Sequence, residues 1–169
     1  IGYPDRNGKN IKLWNSAVQN RLSSLIQALG KRFNSEVYFE GIGLSDTSIG
    51  EAYVPLTLKQ REDYYANLLR VQQQMRNYFT NTLTFQFTSY PRLMLKTFIE
   101  SLNEMGAGLG GHGVSVQIPG IAPPRYPFDV YYYFPKYSEK IPLVLSVKYA
   151  NYEKNSSDFL SYELTVPEI

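Results

Sequence analysis

Segments with a helical pattern alternate along this chain with short segments that have a strand pattern. From Leu13 to Phe33 apolar residues recur every three or four positions, which is typical of a helix with one buried face, and Asn15 or Ser16 is placed to cap it. A second helical segment begins with a capping-box pattern at Thr57 and runs to about Asn81. A third runs from Leu93 to Met105 and is closed by Gly106. Strands that alternate with helices are joined by crossovers, so this order predicts an α/β fold with a mainly parallel sheet.

The predicted strands lie between and after these helices. The run Val37 to Gly43 is β-branched and aromatic and ends in glycines, which predicts a buried strand. Residues Leu83 to Thr88 alternate between apolar and polar side chains, as strands do. The glycines around His112 predict a tight connection into the next strand. Further predicted strands cover Val114–Val116, Asp129–Phe134, Leu143–Tyr149 and Phe159–Val166.

The composition excludes several kinds of chemistry. The 169 residues, of which 43% are hydrophobic and 19% charged, fit one globular domain. With no cysteine and one histidine, a thiolate nucleophile and a multi-histidine metal site are excluded. We expect no cofactor, because no G-x-G-x-x-G pattern follows a predicted strand and no phosphate loop is present. A net charge of +2 without a dense basic run gives little support for nucleic-acid binding. Hydrolytic chemistry would therefore rest on carboxylates.

No membrane partner is expected either. The longest apolar stretches fall well short of the roughly 18 to 20 residues that are needed to cross a bilayer. The N-terminal stretch IGYPDRNGKNIK lacks the apolar centre of a signal peptide. The excess of aromatic residues, 15% of the chain, suits a core, a sugar platform or an interface equally well.

Candidate functional residues are those that follow the predicted strands, because parallel sheets present their functional loops at the carboxyl ends of the strands. Asp46 and Glu51 lie in the loop after the first predicted strand, where neighbouring groups could raise the pKa of a carboxylate enough to make it a general acid. Glu153 follows a later predicted strand and is flanked by Tyr152. The alternative for both loops is that the carboxylates are ordinary solvated turn residues.

Two further candidates come from the glycine-rich and the aromatic segments. His112 stands in Gly110-Gly111-His112-Gly113, where small residues let the backbone approach a ligand and the imidazole could bond a sugar hydroxyl. Its alternative is an incidental histidine in a helix-to-strand connection. Tyr131 and Tyr133 would share one face of a predicted strand and could line a cleft while Tyr132 and Phe134 pack inward, or the reverse. The alternative for this region, from Tyr126 to Tyr137, is a core or a protein interface.

Two longer stretches resemble a known family. LWNSAVQNRLSSLIQALGKRFNSEVYFEGIGLSDTSIG has a helix that ends in Gly-Lys-Arg-Phe, then a strand that enters a loop with a carboxylate. TFQFTSYPRLMLKTFIESLNEMGAGLGGHGV continues with a strand, a helix and a glycine-rich approach to another strand. Together they resemble the central and later part of a glycoside-hydrolase (β/α)8 barrel of the cellulase and β-galactosidase kind. The resemblance implies a partial barrel-like arrangement and carbohydrate as the partner.

The resemblance also implies roles for the carboxylates. If Val37–Gly43 corresponds to the fourth strand of such a barrel, the strand that begins at Leu143 is similar to the seventh. The family carries its acid/base at the end of the fourth strand and its nucleophile at the end of the seventh. Asp46 matches the first position and Glu153 lies near the second, although the family usually has glutamate where this chain has Asp46. The expected substrate-binding residues are His112, Glu51, Tyr131, Tyr133 and Tyr152.

The length sets the alternatives for function. A closed barrel of this kind needs about 250 residues, whereas residues 1–169 form either a single domain or a fragment of a larger barrel. The sequence therefore predicts a glycoside-hydrolase-like domain that acts on or binds a carbohydrate, and secretion is implied by the resemblance alone. The alternative is a non-catalytic interaction module whose tyrosine-rich second half packs on a protein partner in a larger assembly.

Overall fold

The computed structural model describes residues 11–45, 47, 49, 54–88, 94–112 and 130–146. In these residues four helices alternate with four strands. The elements are α1 (Ser16–Phe33), β1 (Gly41–Leu44), α2 (Leu58–Tyr78), β2 (Leu83–Phe87), α3 (Leu95–Glu104), β3 (Gly108–His112), α4 (Val130–Tyr137) and β4 (Leu143–Ser146). This alternation confirms the predicted α/β class.

The four strands form one parallel sheet in the order β1-β2-β3-β4. Each strand therefore lies beside the strand that follows it in sequence, without the reversal of a doubly wound sheet. Right-handed crossovers between such strands carry all the connecting helices to the same face of the sheet. The strands follow one another in sequence order with the helices on one side, which confirms the predicted partial α/β arrangement with a mainly parallel sheet.

Local side-chain caps set the ends of the helices. The Asn15 side chain accepts hydrogen bonds from the backbone N–H groups of Ala17 at 3.0 Å and Val18 at 3.3 Å. At the start of α2 the Thr57 hydroxyl accepts from the Gln60 backbone at 3.2 Å. The Gln60 carboxamide accepts from the Thr57 backbone at 2.9 Å, which completes the predicted capping box. Gly106, at φ 69°, turns the chain after α3.

The core fills the space between the helices and one face of the sheet. One cluster joins α2, α3 and α4 to β3, and its buried members include Tyr64, Leu68, Phe98, Ile99, Leu109 and Val130. A second, smaller cluster joins α1 to α2 through Ile26, Val71, Met75 and Phe79. Ile42 and Leu44 of β1 pack against this second cluster. These contacts place the helices against the face of the sheet that carries Ile42, Leu44 and Leu109.

The first strand begins later than the sequence predicts. Val37 and Tyr38 are 88% and 97% exposed and lie in a turn, which the Phe39 N–H closes by donating to the Glu36 carbonyl at 3.0 Å. Phe39 takes the interior position instead, with its ring centroid 5.2 Å from that of Phe33. The prediction of a buried strand from Val37 is therefore wrong, because the turn directs Phe39, and not Val37, to the core.

The glycine-rich segment forms β3 itself and is not a connection that precedes a strand. A Cβ on Gly110 would lie 2.7 Å from the ring of Phe87, and one on Gly111 would lie 2.8 Å from the ring of Tyr131. Rings from both sides of the sheet thus occupy the space that β3 side chains would fill, which explains why a strand is built from glycines. The predicted strand Val114–Val116 lies outside the described residues.

The predicted strand Asp129–Phe134 is also wrong, because Val130–Tyr137 is the helix α4. Val130 and Tyr133 are three positions apart and both are buried, so helical spacing decides which rings enter the core. The strand predicted from Leu143 is present as β4 over Leu143–Ser146. Its predicted continuation to Tyr149, and the predicted strand Phe159–Val166, lie outside the described residues.

Candidate functional site at the carboxyl edge of the sheet

The carboxyl ends of the four parallel strands meet at one edge of the sheet, where the sequence predicts the site. β1 leads there into Ser45 and Thr47, and β2 leads into Thr88. β3 ends at His112, which lies opposite Ser146 of β4. Hydroxyl-bearing residues therefore follow or end three of the four strands.

Thr88 is fixed at this edge by the backbone. Its N–H donates to the Gly110 carbonyl at 3.0 Å, and its hydroxyl donates to the Gln86 carbonyl at 3.0 Å. Thr88 and Thr47 are both fully buried. The bonded hydroxyl of Thr88 is therefore a satisfied buried group that ties the residue to its own strand end.

Two buried glutamines, between α2 and the sheet, support the carboxyl edge. The Gln86 Nε2 donates to the carbonyls of Phe87 at 2.9 Å and Leu44 at 3.3 Å, which ties the ends of β1 and β2 together. Gln72 of α2 donates through Nε2 to the Gln86 Oε1 at 3.0 Å and to the Phe85 carbonyl at 3.1 Å. Both side chains are fully buried. A buried amide network of this sort rigidifies its surroundings when its donors are satisfied.

The sequence did not predict the Gln72–Gln86 pair. The alternation of polar and apolar residues in β2 predicts a strand, but it does not predict which face of that strand the helices cover. Thr84 and Gln86 are fully buried towards the helices, whereas Leu83, Phe85 and Phe87 lie on the other face and are half-buried. The usual amphipathic strand has the opposite arrangement. A signal was present in α2, where Gln72 occupies a position of the apolar stripe between Leu68 and Met75.

We call the face that carries Phe85 and Phe87 the open face. The register places the following residues on it: Gly41 and Gly43 of β1, Leu83 of β2, Gly108 and Gly110 of β3, and Val144 of β4. The rings of Phe85 and Phe87 lie 5.5 Å apart, edge to face, over these glycines. The centre of the open face is therefore aromatic, and its flanks are formed by bare backbone.

Four of the predicted site residues lie outside the described part of the chain: Asp46, Glu51, Tyr152 and Glu153. His112 is described as the last residue of β3, but its side chain is not among the described groups. The pairing of Asp46 with Glu153, and the roles of Glu51 and Tyr152, stay predictions from the sequence.

The prediction that Tyr131 and Tyr133 share one face of a strand is wrong, because both residues lie on the helix α4. Their part in substrate binding stays a prediction from the sequence. Tyr133 is 7% exposed within the core, and burial raises the pKa of its hydroxyl. Tyr131 packs over Gly111, with its ring centroid 5.1 Å from that of Phe134. Tyr132 is the exposed member, and a hydrogen bond with Lys136, followed by the charge of that ammonium, lowers its pKa.

A surface groove of about 460 Å³ lies at the opposite, amino-terminal edge of the sheet. Its lining residues are Tyr38, Phe39, Glu40, Gly41, Leu83 and Phe85. The groove begins at the open face and follows the side of β1. It is therefore separate from the carboxyl edge where the sequence predicts the site.

Two negative findings apply to the described residues. No three histidine or acidic side chains among them come together in a way that could hold a metal ion. None of the helices in the described ranges is long and apolar enough to cross a membrane.

No protein-family model, curated protein or solved structure matches this chain.

Proposed function

We propose that this chain is a carbohydrate-active domain whose site lies at the carboxyl edge of the sheet. The observation that supports the proposal is the sequential, all-parallel order of the four strands. In such a sheet the segments that follow β1 and β4 leave from the same edge. Asp46 comes two residues after the end of β1, and Glu153 comes seven residues after the end of β4.

The proposed chemistry is that of a pair of carboxylates. Asp46 serves as the acid that protonates the glycosidic oxygen, and Glu153 serves as the nucleophile or base. The Gln72 and Gln86 amides and the Thr88 hydroxyl support a rigid floor beneath that position. The ring of Phe87, at the carboxyl end of β2 on the open face, offers an apolar surface to a sugar ring.

The test is glycoside cleavage by the whole chain on a panel of aryl glycosides and soluble polysaccharides. We expect Asp46→Asn and Glu153→Gln each to lower turnover by about 10²-fold or more, the scale for a positioned acid or base. Glu104→Gln is the matched control, because Glu104 is exposed at the end of α3, away from the carboxyl edge. Unchanged turnover in either of the first two variants would exclude that residue from the proposed pair.

A second candidate is the non-catalytic interaction module, and one observation favours it. Leu83, Phe85 and Phe87 leave apolar surface on the open face, and parallel sheets are normally covered on both faces. The expected tyrosine-rich docking surface is less favoured, since Tyr133 is buried and Tyr131 packs over Gly111. The absence of both cleavage and sugar binding, together with a protein complex that buries the open face, would support this second candidate.

A further inference from the structure

The register of the sheet is staggered in the way that a closed barrel requires. Gly41 lies opposite Leu83, Phe85 opposite Gly108, and Leu109 opposite Leu143. The row of neighbours that starts at Gly41 therefore reaches the fourth strand at Lys140, three residues before β4 begins. In an eight-stranded barrel with a shear of about 8, such a row is displaced by about four residues after half a turn.

From this stagger we infer that two copies of the chain associate to close an eight-stranded parallel barrel, with the two open faces forming its interior. A two-fold axis along the barrel keeps all eight strands parallel, and it places β4 of each copy beside β1 of the other. The inference does not depend on the carbohydrate proposal, because it rests on the strands and not on the carboxylates.

The backbone groups at the two edge strands match in this arrangement. The Leu83 N–H donates to the Glu40 carbonyl, so the N–H and C=O groups of Gly41 and Gly43 point away from β2. The Leu109 N–H donates to the Pro142 carbonyl, so the groups of Leu143 and Leu145 point away from β3. If the second copy is displaced along the seam by about four residues, Gly41 lies opposite Val144 of the other copy. The outward N–H and C=O groups of Gly41 can then bond to the outward groups of Leu143 and Leu145.

Exposed apolar side chains lie where the second copy would cover them. Leu145 of β4 is 47% exposed although it lies on the helix-covered face, opposite Gly111. Leu25 of α1 is 53% exposed, and α1 precedes β1, so in the closed ring it packs over β4 of the other copy. Val144 of the other copy then lies on the open face beside Gly41, which also lines the groove.

Charges at the same seam are complementary. Glu40 immediately precedes β1, and Lys140 lies shortly before β4, so both are at the amino-terminal edge of the barrel. Both are exposed, and neither forms an ion pair with another residue of the described ranges. The two-fold axis brings the opposite charges to the same edge of each of the two seams, where Glu40 lies opposite Leu143 and Lys140 lies three residues before it, about 10 Å away. Their attraction is therefore long-range and is not a direct ion pair. A second copy therefore supplies strands, apolar cover and countercharge together.

The association is tested by light scattering and by cross-linking of the whole chain. We expect a solution mass of twice 19.4 kDa. The chain has no cysteine, so Gly41→Cys and Val144→Cys each introduce a single thiol. A Cβ on Gly41 meets its neighbours at 3.4 Å or more, so that site accepts the change. The two thiols come within disulfide distance only across the seam.

The expected result is a disulfide-linked dimer when the two cysteine variants are mixed, with little from either variant alone. Ser24→Cys, on the exposed side of α1, is the matched partner that should not link to Val144→Cys. Leu145→Asp should convert the dimer to folded monomers, whereas Leu58→Asp, at a site 73% exposed on α2, should leave the mass unchanged. A monomeric wild-type chain, an open-ended polymer, or a dimer without the mixed cross-link would overturn the inference.

Discussion

At the scale of single residues, polar groups inside the helix layer carry more of the architecture than their number suggests. Gln72 and Gln86 connect α2 to the ends of β1 and β2 through four hydrogen bonds. Among the described residues the Gln72 Oε1 has no partner, so the network is satisfied at its donors and not at every acceptor. Removing one glutamine therefore has a different cost from removing both.

We expect Gln86→Leu to lower the free energy of unfolding by about 1–3 kcal/mol, because it leaves buried groups without their partner. Gln72→Leu should cost less, since it also removes the unpaired Oε1. The double variant should cost less than the sum of the two, which urea titrations of all four proteins would show. Additive costs would mean that the Gln72–Gln86 bond contributes nothing to stability.

The tyrosines of α4 make a pH prediction. Burial raises the pKa of Tyr133, despite the nearby charges of Lys136 and Lys96. A tyrosine in the unfolded chain loses its proton at a pKa of about 10, whereas Tyr133 in the folded state still holds its proton at that pH. Stability from Tyr133 is thus present below about pH 10 and lost as the pH rises through the folded pKa.

Tyr133→Phe should therefore weaken the alkaline loss of stability, measured as the free energy of unfolding at about pH 8 and about pH 10.5. Tyr132→Phe is the contrasting variant, since Lys136 lowers the pKa of Tyr132 and its ionisation favours the folded state. That variant should lose stability more steeply at high pH. Equal slopes in the two variants would contradict both assignments.

At the scale of elements, α1, α2 and α3 could be predicted closely, whereas α4 was predicted as a strand and the strands were predicted only in part. The ends of α1 and α2 depend on Asn15 and on the Thr57–Gln60 capping box, which are local signals. β1 depends on a turn that sends Phe39 inward, and β3 is a strand only because Phe87 and Tyr131 fill its glycine positions. The signal for β3 comes from Phe87 and Tyr131, which are distant from it in sequence, so no local pattern contains it.

The capping box gives the prediction at this scale. Thr57→Ala should destabilise the chain by about 1 kcal/mol, because it leaves the Gln60 N–H without its acceptor at the start of α2. Thr97→Ala, an exposed site within α3, should change stability by no more than about 0.5 kcal/mol. Circular dichroism during thermal unfolding compares the two, and equal shifts would show that the cap contributes nothing specific.

At the scale of the whole molecule, the alternation of elements was enough to predict the parallel sheet, because the crossover rule links the two. The face that holds the polar side chains of β2 was not predictable, since it depends on what covers each side of the sheet. The carboxyl edge follows from the topology, whereas the positions of Asp46 and Glu153 at that edge rest on the sequence.

Amide hydrogen exchange tests the state of the whole sheet. In a closed barrel the N–H groups of Gly41 and Gly43 are bonded across the seam, so we expect them to exchange about as slowly as those of β2 and β3. In an open sheet these two amides should exchange much faster than those of Thr84 or Gln86. Leu145→Asp, which opens the seam, should speed exchange at Gly41 and Gly43 and leave that at Gln86 nearly unchanged.

The sequential strand order also bears on how the chain folds. Neighbouring strands are close in sequence, since Phe85 pairs with Gly108 and the widest separation joins Gly41 to Leu83. Short separations keep the entropy cost of closing each loop low. If two copies close a barrel as proposed, the seams between them form only after a diffusional encounter, so that step should slow as the protein is diluted, whereas the pairing of strands within one copy should not.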